Sequence, residues 1–263
     1  MYIDTHTHVF CEEFDEDRDT VVQEAIKAGV TKLILPAIDS ESHNRMENML
    51  DNYSGICLGA IGVHPTSVND NADYKKELEI VKQKLEENAD RYCAVGEIGL
   101  DLYWSKEFID TQIEVLRFQL ELSLEYNLPV ILHVRDAFSE IFEVLKDYKG
   151  LKGVFHGFSG TYEDYLTAKS LGGFKFGIGG VVTFKNSTLP KVVEKMPLED
   201  IVLETDAPYL TPAPHRGKRN NPIYVPIIAQ KIADLKCVSL EVVGKTTTDS
   251  AAQLFGFSTN SCS

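Results

Sequence analysis

Val130-Ile131-Leu132-His133 is a run of three aliphatic residues that ends on an imidazole. A run of that kind reads as a buried strand, and a polar residue at its C-terminal end lies at the rim of a sheet. The same pattern repeats outward in both directions. Val154-Phe155-His156 and Ile201-Val202-Leu203-Glu204-Thr205-Asp206 follow it, while Ala94-Val95-Gly96-Glu97 and Ile3-Asp4-Thr5-His6-Thr7-His8 precede it. In all, eight strand-like runs are legible, at 2–6, 31–36, 56–61, 92–97, 129–134, 152–156, 173–178 and 201–205. Amphipathic stretches such as Arg18–Ala28, Tyr74–Glu87, Thr111–Tyr126 and Phe138–Tyr148 lie between them.

Alternating strands and helices predict parallel pairing with right-handed crossovers. Eight such units with no linker or repeat boundary favour a single closed (β/α)8 TIM barrel over an open, doubly wound sheet, and 263 residues suit that size. The segment Ser239–Phe257 predicts a C-terminal helix packed outside the barrel. One domain is expected over 1–258, with 259–263 a frayed tail.

The barrel reading brings the six ligand-type residues to one rim, the C-terminal face, where barrel chemistry sits. Residues i and i+2 of a strand share a face, so His6 and His8 can aim at one ion. Glu97 closes an apolar strand, where an unpaired carboxylate would cost several kcal/mol and therefore wants a cation. Its two oxygens also suit it to bridge two ions. His133 and His156 each close a run, and Asp206 precedes Ala207-Pro208, which turns the chain out of its strand. Asp206 there can bind an ion and also accept a proton from water, so Asp206 and Glu97 are the expected catalytic residues. Two divalent ions are expected; imidazoles with carboxylates suit Zn or Mn, with Mg less natural. No nucleophilic Ser or Cys beside a base and no phosphate-binding glycine loop competes with this reading.

Substrate contacts are expected from the basic loop Pro214–Arg219, through Arg216, Lys218 and Arg219, because Arg and Lys bind phosphate. Arg135, two residues beyond His133, is a further candidate. His64, just past the third strand, fits either substrate contact or support of a ligand. His43, on a polar stretch, is expected at the surface.

A net charge of −14 argues against a surface that coats nucleic acid non-specifically, although two divalent ions would offset four of those charges locally. Five cysteines without a C-x-x-C pair read as reduced thiols, Cys57 and Cys93 as small core residues. Together with the lack of a signal-type or membrane-length apolar run, they predict a cytoplasmic protein, and the acidic surface charge favours a soluble monomer.

In order and spacing these motifs resemble the TatD family of metal-dependent deoxyribonucleases, within the amidohydrolase superfamily. The resemblance runs from Met1 to about Phe255. It rests on Asp4-Thr5-His6-Thr7-His8, Gly62-Val63-His64-Pro65, Val95-Gly96-Glu97-Ile98-Gly99-Leu100-Asp101 and His133-Val134-Arg135-Asp136-Ala137. His156-Gly157-Phe158-Ser159-Gly160, Glu204-Thr205-Asp206-Ala207-Pro208-Tyr209-Leu210 and Arg216-Gly217-Lys218-Arg219-Asn220 complete it. The resemblance implies a barrel hydrolysing DNA phosphodiesters from single-stranded, damaged or 3′ ends, and RNA as a further substrate. It also implies that His6, His8 and Asp206 hold one ion, His133 and His156 the other, and Glu97 both. Asn221 and Asp249 depart from the family pattern; the first is expected to alter the substrate rim and the second to bear on helix capping. Similar ligand sets in other barrels hydrolyse amides, lactones or esters, but many of those bridge their ions with a carboxylated lysine, where this chain has Glu97.

Overall fold

The computed structural model describes residues 1–258, so the tail at 259–263 lies outside the described residues. Eight strands form one parallel sheet in chain order: β1 (Tyr2–Asp4), β2 (Val30–Pro36), β3 (Cys57–Ile61), β4 (Tyr92–Asp101), β5 (Val130–Arg135), β6 (Lys152–Phe155), β7 (Gly173–Ile178) and β8 (Ile201–Leu203). The ring shuts between β8 and β1 through a few bonds. The Thr5 N–H donates to the Leu203 carbonyl at 2.9 Å, the Asp206 N–H to that of His6 at 2.8 Å, and the His8 N–H to that of Ala207 at 2.7 Å. The fold is the expected TIM barrel.

The helices α1 (Arg18–Lys27), α2 (Ser40–Asn52), α3 (Tyr74–Asn88), α4 (Ile109–Glu125), α5 (Phe138–Leu145), α6 (Tyr162–Leu171), α7 (Leu189–Lys195) and α8 (Val225–Lys236) cover the outside of the ring. Their buried residues and the outward-facing strand residues make one core, including Leu33, Leu35, Val115, Leu116, Leu120 and Ile141. A second core fills the barrel. Ile3, Ile34, Ala60, Ala94, Ile131, Val154 and Val202 point inward, each preceding a ligand-type residue or its neighbour strand end. The last helix, α9 (Leu240–Phe255), lies outside the strands as the sequence predicts, and its place there is the barrel floor. It seats Ala251, Leu254 and Phe255 on that inner layer. Ser239 caps its start, accepting from the Val242 N–H at 3.2 Å, and Gly256 at φ 73° ends it in a left-handed turn that suits glycine.

Several local readings differ from the structure. β4 continues past Glu97 to Asp101, because Ile98 and Leu100 resume the buried pattern and Gly99 lies so close to β5 that a Cβ would collide with the His133 carbonyl. His43 is not at the surface. It is 1 % exposed, on the face of α2 that also buries Met46 and Met49, three and six residues on. The surrounding Ser, Glu and Asn residues hide that apolar face in the sequence. Burial pushes its pKa down, so the imidazole stays neutral. Cys57 is buried as expected, whereas Cys93 is only half-buried. Asp249 is no cap; it sits within α9 and pairs with Lys245 at 2.5 Å.

Removing the aromatic plug from the floor leaves a cavity that the rigid strands cannot collapse to fill. Phe255→Ala is therefore expected to lower unfolding stability by about 3 kcal/mol, read as a fall in the urea midpoint at an unchanged slope. A loss below about 1 kcal/mol would mean that α9 is not a structural floor.

Candidate metal centre

The strand ends deliver the six predicted residues to one point. The inward faces of β5 and β6 continue from Ile131 to His133 and from Val154 to His156, two residues further on. On β4 the parity changes, because the register with β5 shifts between Val95 and Ile98. An irregularity of this kind re-aims a side chain, and here the re-aimed one is Glu97. After β8, Asp206 adopts φ 57°, a left-handed conformation uncommon for a non-glycine residue and one that Asp tolerates better than most.

Glu97 is the hub. Its Oε2 lies 3.1 Å from His6 Nε2 and 3.7 Å from His8 Nε2. Its Oε1 faces three other imidazoles: His133 Nδ1 at 2.9 Å, His156 Nε2 at 3.3 Å and His64 Nε2 at 3.4 Å. The His6 and His8 Nε2 atoms are 3.1 Å apart, with Asp206 Oδ1 3.9 and 3.6 Å away. The His6 and His156 rings stack at 3.5 Å.

The electrostatics of this cluster are those of a site built around positive charge. Burial alone would raise the Glu97 pKa, but His6, His156, His64 and His133 hold it well below the usual carboxylate range. Burial opposes a charge on His156, yet Glu97 and Glu204 outweigh it and raise its pKa well above the ordinary value. His133 is raised in the same way by Asp101 and Glu97. Asp206, against its own burial, is held low by His8, His156 and His6. A divalent ion can replace those imidazolium protons, because it offers the carboxylates the same charge and accepts the nitrogen lone pairs. His6 Nδ1 and His8 Nδ1 are buried without a hydrogen-bond partner, while the Nε2 atoms of both rings face Glu97 and Asp206. The donor set fits a metal. His6 with His8 and Glu97, His6 with His156 and Asp206, and His64 with Glu97 and His133 could each hold an ion.

The TatD-related DNase family model matches residues 3–256. The chain belongs to that family. It is 37 % identical over 258 residues to the metal-dependent hydrolase YabD of Bacillus subtilis, covering 97 % of this chain and 99 % of the relative. It is 33 % identical to human deoxyribonuclease TATDN3, covering 96 % and 94 %. The crystal structure of YjjV, the TatD homologue from Escherichia coli, superposes with a TM-score of 0.90 at 33 % identity over 98 % of each chain. The expected class, a TatD-type metal-dependent hydrolase, stands.

Three carboxylates of this TatD chain escaped the sequence reading. Asp101 Oδ2 lies 2.9 Å from His133 Nε2, which leaves His133 Nδ1 as the nitrogen facing Glu97. Glu204, fully buried, accepts from the Gly157 N–H at 2.6 Å and stands 3.3 Å from His156 Nδ1. Gly177 leaves the space it occupies, since a Cβ there would overlap its carboxylate. Asp4 accepts from the Thr205 N–H at 2.9 Å and from its hydroxyl at 2.6 Å. An acid within an apolar run marks Asp4 and Glu204, the latter beside the more conspicuous Asp206, whereas Asp101 lies beyond the run read at 92–97.

The cations expected at the rim divide into two kinds. Arg219 is anchored: it pairs with Asp17 at 2.5 Å, donates to the Glu13 carbonyl and covers the Phe14 ring at 4.3 Å. Arg216 lies over Phe184 at 3.8 Å and Arg135 over Tyr103 at 3.6 Å, so each presents its guanidinium from an aromatic face. Lys218 is exposed. Asn221 turns out to cap a short turn, accepting from the Ile223 N–H at 3.0 Å, which gives it a local structural role.

Groups that orient a ligating imidazole typically control metal affinity by about 10–100-fold. Asp101→Asn is expected to weaken divalent-ion binding within that range, measured by competition with a chelating indicator, while thermal stability of the metal-free protein changes little. Unaltered affinity would show that Asp101 does not orient His133.

Proposed function

We propose that this chain is a two-metal phosphodiesterase that shortens DNA from the 3′ end, preferring single-stranded or damaged ends, with RNA a further substrate. The observation that carries the reading is the division of labour at Glu97, whose two oxygens face two separate sets of imidazoles. On this reading His6, His8 and Asp206 hold one ion, His133 and His156 the other, and Glu97 is shared. Ions so held supply Lewis acidity, stabilising charge on phosphoryl oxygens and making a water more acidic.

The remaining steps belong to the side chains. Asp206, kept ionised by its imidazole neighbours, accepts the proton from the attacking water. On this reading His64, which with Glu97 and His133 could also hold an ion, serves as a donor to the substrate. Its Nδ1 accepts from the Thr66 N–H at 3.2 Å, so the ring proton sits on Nε2, which points toward Glu97. Burial pushes the His64 pKa down, leaving a neutral imidazole that can donate to a phosphoryl oxygen. Arg135, Arg216 and Lys218 bind flanking phosphates, whereas Arg219 braces the rim against Asp17 and so acts on substrate only through the loop. A phosphate diester suits this ring of cations better than an amide or lactone does. The enzyme works as a monomer, one unit over 1–258, in the reducing cytoplasm. Burial pushes the thiols of Cys11, Cys57 and Cys93 up to about 12, which keeps them inert. No helix is long and apolar enough to cross a membrane.

End-labelled single-stranded DNA is expected to shorten stepwise from its 3′ end in Mg, Mn or Zn and to survive in EDTA. Loss of the general base typically costs about 10²–10⁴ in rate, and Asp206→Ala is expected to fall in or beyond that range. Intact DNA under every metal, in protein shown to hold two ions, would sink the proposal.

A further inference from the structure

Trp104 is the chain's single tryptophan and, at 71 % exposed, its most exposed large apolar side chain among the described residues. Large aromatic rings are not left in water without a reason when they cluster. Here they do cluster. Tyr103, 52 % exposed, meets Trp104 edge-to-face at 4.9 Å between ring centroids. The Arg135 guanidinium lies 3.6 Å from the Tyr103 centroid and 5.6 Å from that of Trp104. Two exposed rings and a cation therefore form one patch in a protein whose net charge is −14.

The patch is wired to the metal centre. Asp101 and Arg135 are register partners across β4 and β5, and the Leu102 N–H donates to the Arg135 carbonyl at 2.9 Å. One Asp101 oxygen accepts from the Tyr103 N–H at 3.1 Å while the other holds His133 at 2.9 Å. The residue that orients a ligating imidazole thus also orients the start of the aromatic pair, at the same rim.

We propose that Trp104, Tyr103 and Arg135 form a base-stacking platform that holds unpaired nucleotides beside the scissile phosphate. Aromatic faces with an adjoining arginine are how proteins hold single strands without reading their sequence, since every base has a π-face. This rests on the phosphodiesterase reading and deepens it. The platform selects unstacked, single-stranded ends because paired bases have no free face to offer.

The sole tryptophan is its own reporter. The full-length Asp206→Ala protein, loaded with Mg, is titrated with a short oligothymidylate and with the same sugar-phosphate chain lacking bases. Base-dependent quenching of Trp104 emission, with binding about tenfold tighter than to the abasic chain, is expected for one stacked base. In otherwise unaltered enzyme, Trp104→Ala is expected to raise KM on single-stranded DNA about tenfold and to act much less on kcat, with Trp104→Phe restoring most of the loss. Equal binding of both chains without quenching, or an unaltered KM in Trp104→Ala, overturns the platform even if DNA is cleaved. Quenching and tighter base binding by a protein that cleaves no DNA would keep the platform and discard the nuclease reading. Quenching by the abasic chain alone would make the patch a phosphate site and overturn the proposal.

Discussion

The buried carboxyl of Asp4 closes the barrel, and the metal centre depends on that closure. Parallel strands pair through backbone ladders, but β1 and β8 share few such bonds. The Asp4–Thr205 tie takes their place by receiving both the N–H and the hydroxyl of Thr205. Burial outweighs these donors and pushes the Asp4 pKa up to about 8, so the group is largely neutral at physiological pH and can lie in the core without a counter-ion. The tie fixes the distance between the two chain segments that carry His6 and His8 on one side and Asp206 on the other. Without it, two buried donors on Thr205 would be orphaned, at about 1–3 kcal/mol each. The ligands from opposite ends of the sequence would then lose their common reference.

Glu97 poses the complementary problem, a charge that must be buried. Five imidazoles face it, three on one oxygen and two on the other. Its low pKa is the energetic statement that this pocket prefers positive charge at its centre. The same statement holds for the outer layer, where Asp101 and Glu204 back His133 and His156 with further negative charge. Imidazoles flanked by carboxylates on both sides are more basic, and more basic nitrogens bind cations more tightly. The rim is therefore graded from cation-seeking at its centre to cationic at its edge, at Arg135, Arg216 and Lys218.

Much of this was legible because it follows from apolar runs ending on polar residues. The eight strands, the barrel and the convergence of His6, His8, Glu97, His133, His156 and Asp206 needed only that pattern. What escaped was set by contacts made far along the chain. Asp101 could not be assigned before β4 was known to continue past Glu97, nor Glu204 before Gly177 was known to leave it space. His43 hid its burial in a polar helix, where three buried positions are masked by charged neighbours. Arg219 looked identical to Lys218 in sequence, and only Asp17 and Phe14, some two hundred residues earlier, separate an anchored arginine from a free lysine. The position of α9 under the barrel required knowing which strand residues point inward.

The proposed function sets an acidic protein on a polyanion, which looks contradictory until distance is considered. At physiological ionic strength the Debye length is about 8 Å, so carboxylates on the outer helices are largely screened from a strand lying across the mouth of the barrel. What the substrate meets is local. Arg135 and Arg216 rest on aromatic rings, an arrangement that leaves their charge free for a phosphate, while Arg219 spends its charge on Asp17. With few cations available, bulk electrostatic attraction contributes little to binding, and affinity has to come from the metal centre and from contacts that are not ionic. Exposed rings beside the site meet that need. Stacking on the proposed platform would attract a nucleotide through its base, where the repulsion of the protein's net charge is not felt. On the proposed platform, discrimination for unpaired ends would follow from the same economy of charge, because a duplex would offer this surface phosphates and no bases.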